Sequence, residues 1–178
     1  KNSQRKELNW GRAGRGPLPR VVKIFKIWQD ESSNPRDWDN LGTIVCWHRK
    51  YHLGDRHNFK TPDDFREWVR SVGRSNVVVL PLYLYDHGGI TMWITPFSDP
   101  WDSGQVGWIY VTKDRLRREY GVRRVTKKII RKAEDILRGE VDEYDQYLRG
   151  EVYGYTVYDT DGWTRIDSCG GFFGDDPA

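Results

Sequence analysis

NVVVLPLYLYDHGGITMWITPF, residues 76–97, decides the fold. Its first half is a long apolar run, rich in β-branched and aromatic residues, that suits a central strand. Gly88–Gly89 supplies a tight turn and ITMWITPF returns, so the segment reads as an antiparallel hairpin. Pro81 is the discordant residue, because proline cannot donate to a ladder and prefers an edge or a bulge.

Working outward, VVKIFKIWQ (21–29), GTIVCWH (42–48) and VGWIYVT (106–112) read as further strands. SDPWDSGQ (98–105) reads as a loop, and VYGYTVYDTDGWTRIDSCGGFF as a closing hairpin around Asp161–Gly162. Three helices interrupt the strands. Thr61 caps the first, with Pro62 at its first position, Asp63 and Asp64 at the positive end of its dipole, and Gly73 as its stop. Thr112 opens a short helix that ends at Gly121. Thr126 caps a long one reaching about Leu148, whose Ile129, Ile130, Ala133, Ile136, Leu137, Val141, Tyr144 and Leu148 draw a continuous apolar stripe. The expectation is an α+β fold: a mostly antiparallel sheet with one short, one medium and one long helix packed on one face.

The chain of 178 residues suits one domain, here 21–178, preceded by a flexible basic arm at 1–20 broken by Gly11, Gly14, Gly16, Pro17 and Pro19. Apolar content is a modest 37%, but aromatics reach 14%, so large rings can supply much of the core. No apolar run approaches the ~20 residues that cross a bilayer, so no membrane role is expected. Two distant cysteines, Cys46 and Cys169, read as reduced and largely buried thiols of a cytoplasmic protein.

The small net charge of +3 conceals a polarised layout. Residues 1–20 hold six cations against one acid, and residues 113–132 hold ten against two. From 133 onward twelve acids face three bases. Such asymmetry speaks about partners rather than fold.

Three of the four histidines, His48, His52 and His57, fall in HRKYHLGDRH (48–57), and the fourth, His87, follows Asp86 in LYDHGGIT. A metal cage of His48, His52, His57 and His87 is one reading, with a divalent ion as cofactor. Arg49, Lys50 and Arg56 lie among those histidines, and so much positive charge disfavours a cation; no cofactor is the favoured expectation. The zincin pattern is absent, since Arg49 stands where its glutamate would be. The same cations and imidazoles suit an anion or phosphodiester better, with Asp55 or Asp86 orienting rings and histidines moving protons. Asp102, Ser103 and Gln105 are further polar candidates beside Trp101. A triad of Ser103, His87 and Asp86 can be drawn, but the G-x-S-x-G elbow is missing.

HRKYHLGDRH, LPLYLYDHGGIT, PWDSGQVGWIYVTK, YDQYLRGEVYG and DSCGGF together resemble an uncharacterised family of small proteins of bacteriophages, prophages and other mobile elements. The resemblance runs from about Val21 to Phe173. Where the family pattern has a serine after Asp-His, this chain has Gly88. The resemblance implies an accessory protein acting inside a host cell, and no particular reaction.

The leading expectation is therefore a protein that binds a host or phage nucleoprotein, nucleic acid or acidic protein through a basic face. Arg12, Arg15 and Arg20 of the arm, Arg49, Lys50 and Arg56, and Arg117, Arg118, Arg123, Arg124, Lys127 and Lys128 would make the contacts. The alternatives are a hydrolase or phosphodiesterase working through His48, His52, His57, Asp86 and His87, and an assembly component whose arm orders on a partner.

Overall fold

The computed structural model describes residues 23–31, 34–159 and 163–174. The basic arm, with Arg12, Arg15 and Arg20, and the Asp161–Gly162 turn lie outside them. The chain divides into two compact units: one spans Asn34–Arg149, and the other joins the segments that flank it.

The larger unit is built on a four-stranded antiparallel sheet of β2 (Thr43–Cys46), β5 (Ser103–Thr112), β3 (Val77–Asp86) and β4 (Ile90–Trp93), in that spatial order. Three helices complete it: α1 (Pro62–Val72), α2 (Lys113–Glu119) and α3 (Lys127–Leu148). The hairpin is β3–β4, closed through Gly88 at φ +76°. β3 accommodates Pro81 because β4 pairs only with Tyr83–Asp86, leaving β3 unpaired on that side at the proline. A register shift at Leu82/Tyr83 follows directly. β5 begins at Ser103, so Ser103 and Gln105 are strand residues opposite Tyr85 and Tyr83, and not loop residues.

Alternation along β5 explains why the helices cover both faces and not one. Ile109 and Val111 join Leu82, Leu84 and Met92 in a core closed by Ala133, Leu137, Val141 and Tyr144 of α3. Trp108 and Tyr110 point the other way, where the Phe65 ring of α1 lies 5.1 Å from Trp108 and Trp68 lies 5.0 Å from Tyr110. An apolar run buried on both faces demands such a double cover. Helix α1 starts as its sequence dictates: Thr61 and Asp64 cap each other reciprocally, with Pro62 at the first position. Helix α3, 22 residues and about 33 Å long, crosses the whole sheet.

The smaller unit is a three-stranded antiparallel sheet in the order β1 (Ile24–Gln29), β6 (Val152–Tyr158) and β7 (Arg165–Phe173). The strands therefore form two sheets. The indole of Trp28 donates to Thr156 Oγ1 at 3.1 Å, above Gly154, where any Cβ would collide with the Trp28 ring. Cys169 is exposed on β7, an edge strand, which corrects the expectation of two buried thiols.

Candidate functional site

The histidine stretch leaves β2 at Cys46 and returns to it. Leu53 is buried in the core, Gly54 bridges Val45 with φ +75°, and the Gly54 amide donates to the Tyr144 hydroxyl at 2.9 Å. Asp55 then closes the turn: its Oδ2 accepts from the Ile44 amide at 2.7 Å and from Arg36 Nη2 at 2.6 Å. Arg36 Nη1 continues to Glu140 Oε2 at 3.2 Å, and Glu140 Oε1 accepts the Leu41 amide at 2.6 Å. Burial alone would depress the guanidinium's pKa, but Asp55 and Glu140 outweigh it and hold Arg36 charged. Leu-Gly-Asp is thus the clasp of the loop. Its aspartate is committed to structure.

What the clasp shapes is an open cavity of about 680 Å³ ringed by residues 46–49 and 51–57, with His48, His52, His57, Arg49 and Arg56 on its wall. His48 Nδ1 accepts from the amides of Lys50 and Tyr51, each at 3.3 Å, and its ring stacks on Tyr51 at 5.0 Å. With Nδ1 accepting, the proton of neutral His48 sits on Nε2. His57 Nε2 lies 3.3 Å from the Cys46 carbonyl, and its ring packs on Trp47 at 4.9 Å. His52 is exposed.

Asp86, at the end of β3, reaches this loop rather than its neighbour His87. Its carboxylate accepts from Tyr51 Oη at 3.3 Å and from Lys50 Nζ at 3.2 Å. His87 Nδ1 instead meets Asp102 Oδ2 at 2.8 Å, with Tyr85 stacked on its ring, and Ser103 Oγ donates to the Asp99 carbonyl. The Ser103–His87–Asp86 triad drawn from the sequence is therefore not assembled. Gln105 donates to the Gly107 carbonyl. Among the described residues no three His, Cys, Asp or Glu side chains gather as a metal would require. His87 stands on the β3–β4 hairpin and is not among the residues that line the cavity holding the other three.

The second cluster of interest is basic, and it lies at the other end of the sheet. Cys46 pairs with Gly107 and α2 begins at Lys113, so the loop and the basic helices are about 20 Å apart along β5. Arg49 and Lys50 therefore follow the end of β2 that lies away from α2, where Cys46 pairs with Gly107. Arg117 pairs with Asp114, Arg115 holds the Asn40 carbonyl at 2.7 Å, and Lys132 sits over the Tyr120 ring. Arg118, Arg123, Arg124, Lys127, Lys128 and Arg131 are exposed, and the hydrogen bonds, ion pairs and ring contacts described above engage none of them. Lys127 and Lys128 occupy the first turn of α3, which has no acid there and no base in its last turn. Charge on this helix runs against its dipole, an arrangement that costs stability.

Sequence reasoning missed Arg36, Glu140 and Tyr144, which organise the loop from elsewhere in the chain, and Tyr51 within it. It also missed Asp102 as the partner of His87. Compared with protein-family models, curated proteins and solved structures, the chain finds no match in any of the three. No helix among the described residues is long and apolar enough to cross a membrane.

Proposed function

We propose that this chain is an accessory protein, of the phage or mobile-element kind, that binds nucleic acid through the basic face of α2 and the start of α3. The observation that carries this reading is the reversed charge of α3. Lys127 and Lys128 sit at the positive end of a 22-residue helix, beside the exposed Arg118, Arg123, Arg124 and Arg131. Local physics disfavours that placement, and a local rule broken without structural gain points to function. Helix N-termini and clustered guanidinium and ammonium groups both attract phosphate. The arm cations Arg12, Arg15 and Arg20 would add to the same electrostatic attraction. An acidic protein or a nucleoprotein would answer to the same charges and is the outcome if nucleic acid fails to bind.

Fluorescence anisotropy with labelled duplex DNA and single-stranded RNA tests it. Six phosphate contacts give a slope of log affinity against log salt near −5 on duplex DNA. Replacing Lys127, Lys128 and Arg124 by Gln should flatten that slope by about 3. Salt-insensitive binding, or none, removes the reading.

A second reading, a hydrolase, draws support from one contact alone. The 2.8 Å bond from His87 to Asp102 orients an exposed imidazole as a general base would be oriented. Loss of a phosphodiesterase activity in His87→Ala, with folding intact, would support it; an intact activity in that variant would end it.

A further inference from the structure

We propose that the cavity ringed by residues 46–49 and 51–57 is a receptor for a phosphate monoester. Its volume, about 680 Å³, falls within the range of small-molecule sites. Its charge is the argument. Arg49 and Arg56 are exposed on the wall, and the contacts described above engage neither. The one carboxylate on the wall, Asp55, is held from behind: Arg36 grips both its oxygens, and the Ile44 amide adds a third bond. Arg36 is shared with Glu140, but the single negative charge left on that trio is exceeded by Arg49 and Arg56. Lys50 stands outside the ring, tied to Asp86 and Tyr51. The field inside the ring is therefore positive without any titration of histidine.

The donors suit the ligand class. His48 takes two backbone amides at Nδ1, so its Nε2 carries the proton and can only donate. Two guanidinium groups and an imidazole N–H offer more donors than a carboxylate's two oxygens can use. They match the three oxygens and near-double charge of a phosphate monoester. The loop is also held in shape before any ligand arrives, by Leu53 in the core, the Gly54–Tyr144 bond and the Arg36–Asp55 clasp. Preorganised donors bind without a large ordering cost. The site lies at the opposite end of β5 from the basic helices, so it stands or falls independently of nucleic-acid binding there.

Isothermal titration of the full chain tests it, with inorganic phosphate, a 5′-mononucleotide, and an oligonucleotide bearing either a 5′-phosphate or a 5′-hydroxyl. The expected result is one saturable site per chain for inorganic phosphate and for the mononucleotide, while the two oligonucleotides are compared with each other only for the effect of the 5′-phosphate. Affinity for phosphate and the mononucleotide should fall about tenfold or more in Arg49→Gln/Arg56→Gln, at an unchanged Tm, and stay constant in Lys127→Gln/Lys128→Gln. Tightest binding of the mononucleotide identifies a free nucleotide as ligand; a preference for the 5′-phosphorylated oligonucleotide identifies a strand end. No saturable binding of inorganic phosphate or of the mononucleotide, or binding of either that survives in Arg49→Gln/Arg56→Gln, overturns the proposal.

Discussion

Arg36 holds both oxygens of Asp55, at 3.0 and 2.6 Å, while its own side chain is 3% exposed. The same guanidinium reaches Glu140 on α3, so a single cation ties the histidine loop, the start of β2 and the long helix together. A buried charge network gives little net stability over an apolar one, but removing one member strands the others. Arg36→Ala leaves two carboxylates facing each other without a counter-charge. It should lower the unfolding free energy by about 3–5 kcal/mol, read from urea denaturation. An unchanged midpoint would mean that the clasp is not what holds the loop.

Gly54 and Gly88 separate backbone strain from steric clash, because both adopt nearly the same φ, +75° and +76°. A Cβ at Gly88 meets nothing within 4 Å, whereas at Gly54 it would strike Ile44 Cγ2 and sit 2.9 Å from the Ile44 carbonyl. Gly88→Ala should cost only the left-handed backbone penalty, ~1–2 kcal/mol. Gly54→Ala should add a further ~1–3 kcal/mol for overpacking. Parallel denaturation curves give the difference directly. Equal losses would show that the loop does not press against β2.

These contacts also mark how far the sequence could be read. Local rules located α1, since the Thr61 cap, Pro62 and Asp64 lie within four residues and act through one turn. They located the β3–β4 hairpin for the same reason. The clasp was illegible because Arg36 is 19 residues from Asp55 and 104 from Glu140, and no spacing rule connects such distances. His48, His52 and His57 looked like a ligand set because they are close in sequence. In the fold His57 turns to the Cys46 carbonyl and Trp47, and His48 to its own loop's amides. The second cover of the sheet was legible but overlooked: VGWIYVT is apolar on both faces, whereas a strand buried on one side alternates apolar with polar residues.

Asp64 should make α1 sensitive to acid. Its carboxylate accepts from the Thr61 amide at 3.0 Å and the Lys60 amide at 2.9 Å, and these bonds hold its pKa below the ordinary carboxylate value. A group with a depressed folded pKa stabilises the fold above its unfolded pKa, about 3.9, and that contribution is lost as pH falls through the folded value. The loss should therefore appear below about pH 4. Asp64→Asn should remove this part of the acid dependence while leaving the rest of the profile in place. Thermal denaturation of both proteins between pH 2.5 and 5 makes the comparison, and coincident profiles would contradict it.

The two thiols should differ sharply in reactivity, although both are free. Burial pushes the Cys46 thiol up to about 12, the Asp55 charge adds to the effect, and Arg36 only partly opposes it. At pH 8 its thiolate fraction is then about 10⁻⁴, and the thiolate is the species that reacts. Cys169 lies exposed on β7. An excess of a thiol-reactive dye at pH 8 should label one cysteine per native chain quickly, mapped to Cys169 by peptide mass, and two per chain in denaturant. Because Cys46 adjoins the loop clasped by Arg36, the slow label doubles as a reporter of that loop. Arg36→Ala should accelerate it, whereas Gly88→Ala, on a separate hairpin, should not. Two fast thiols in the native protein would show that the loop already opens at Cys46 with the clasp intact.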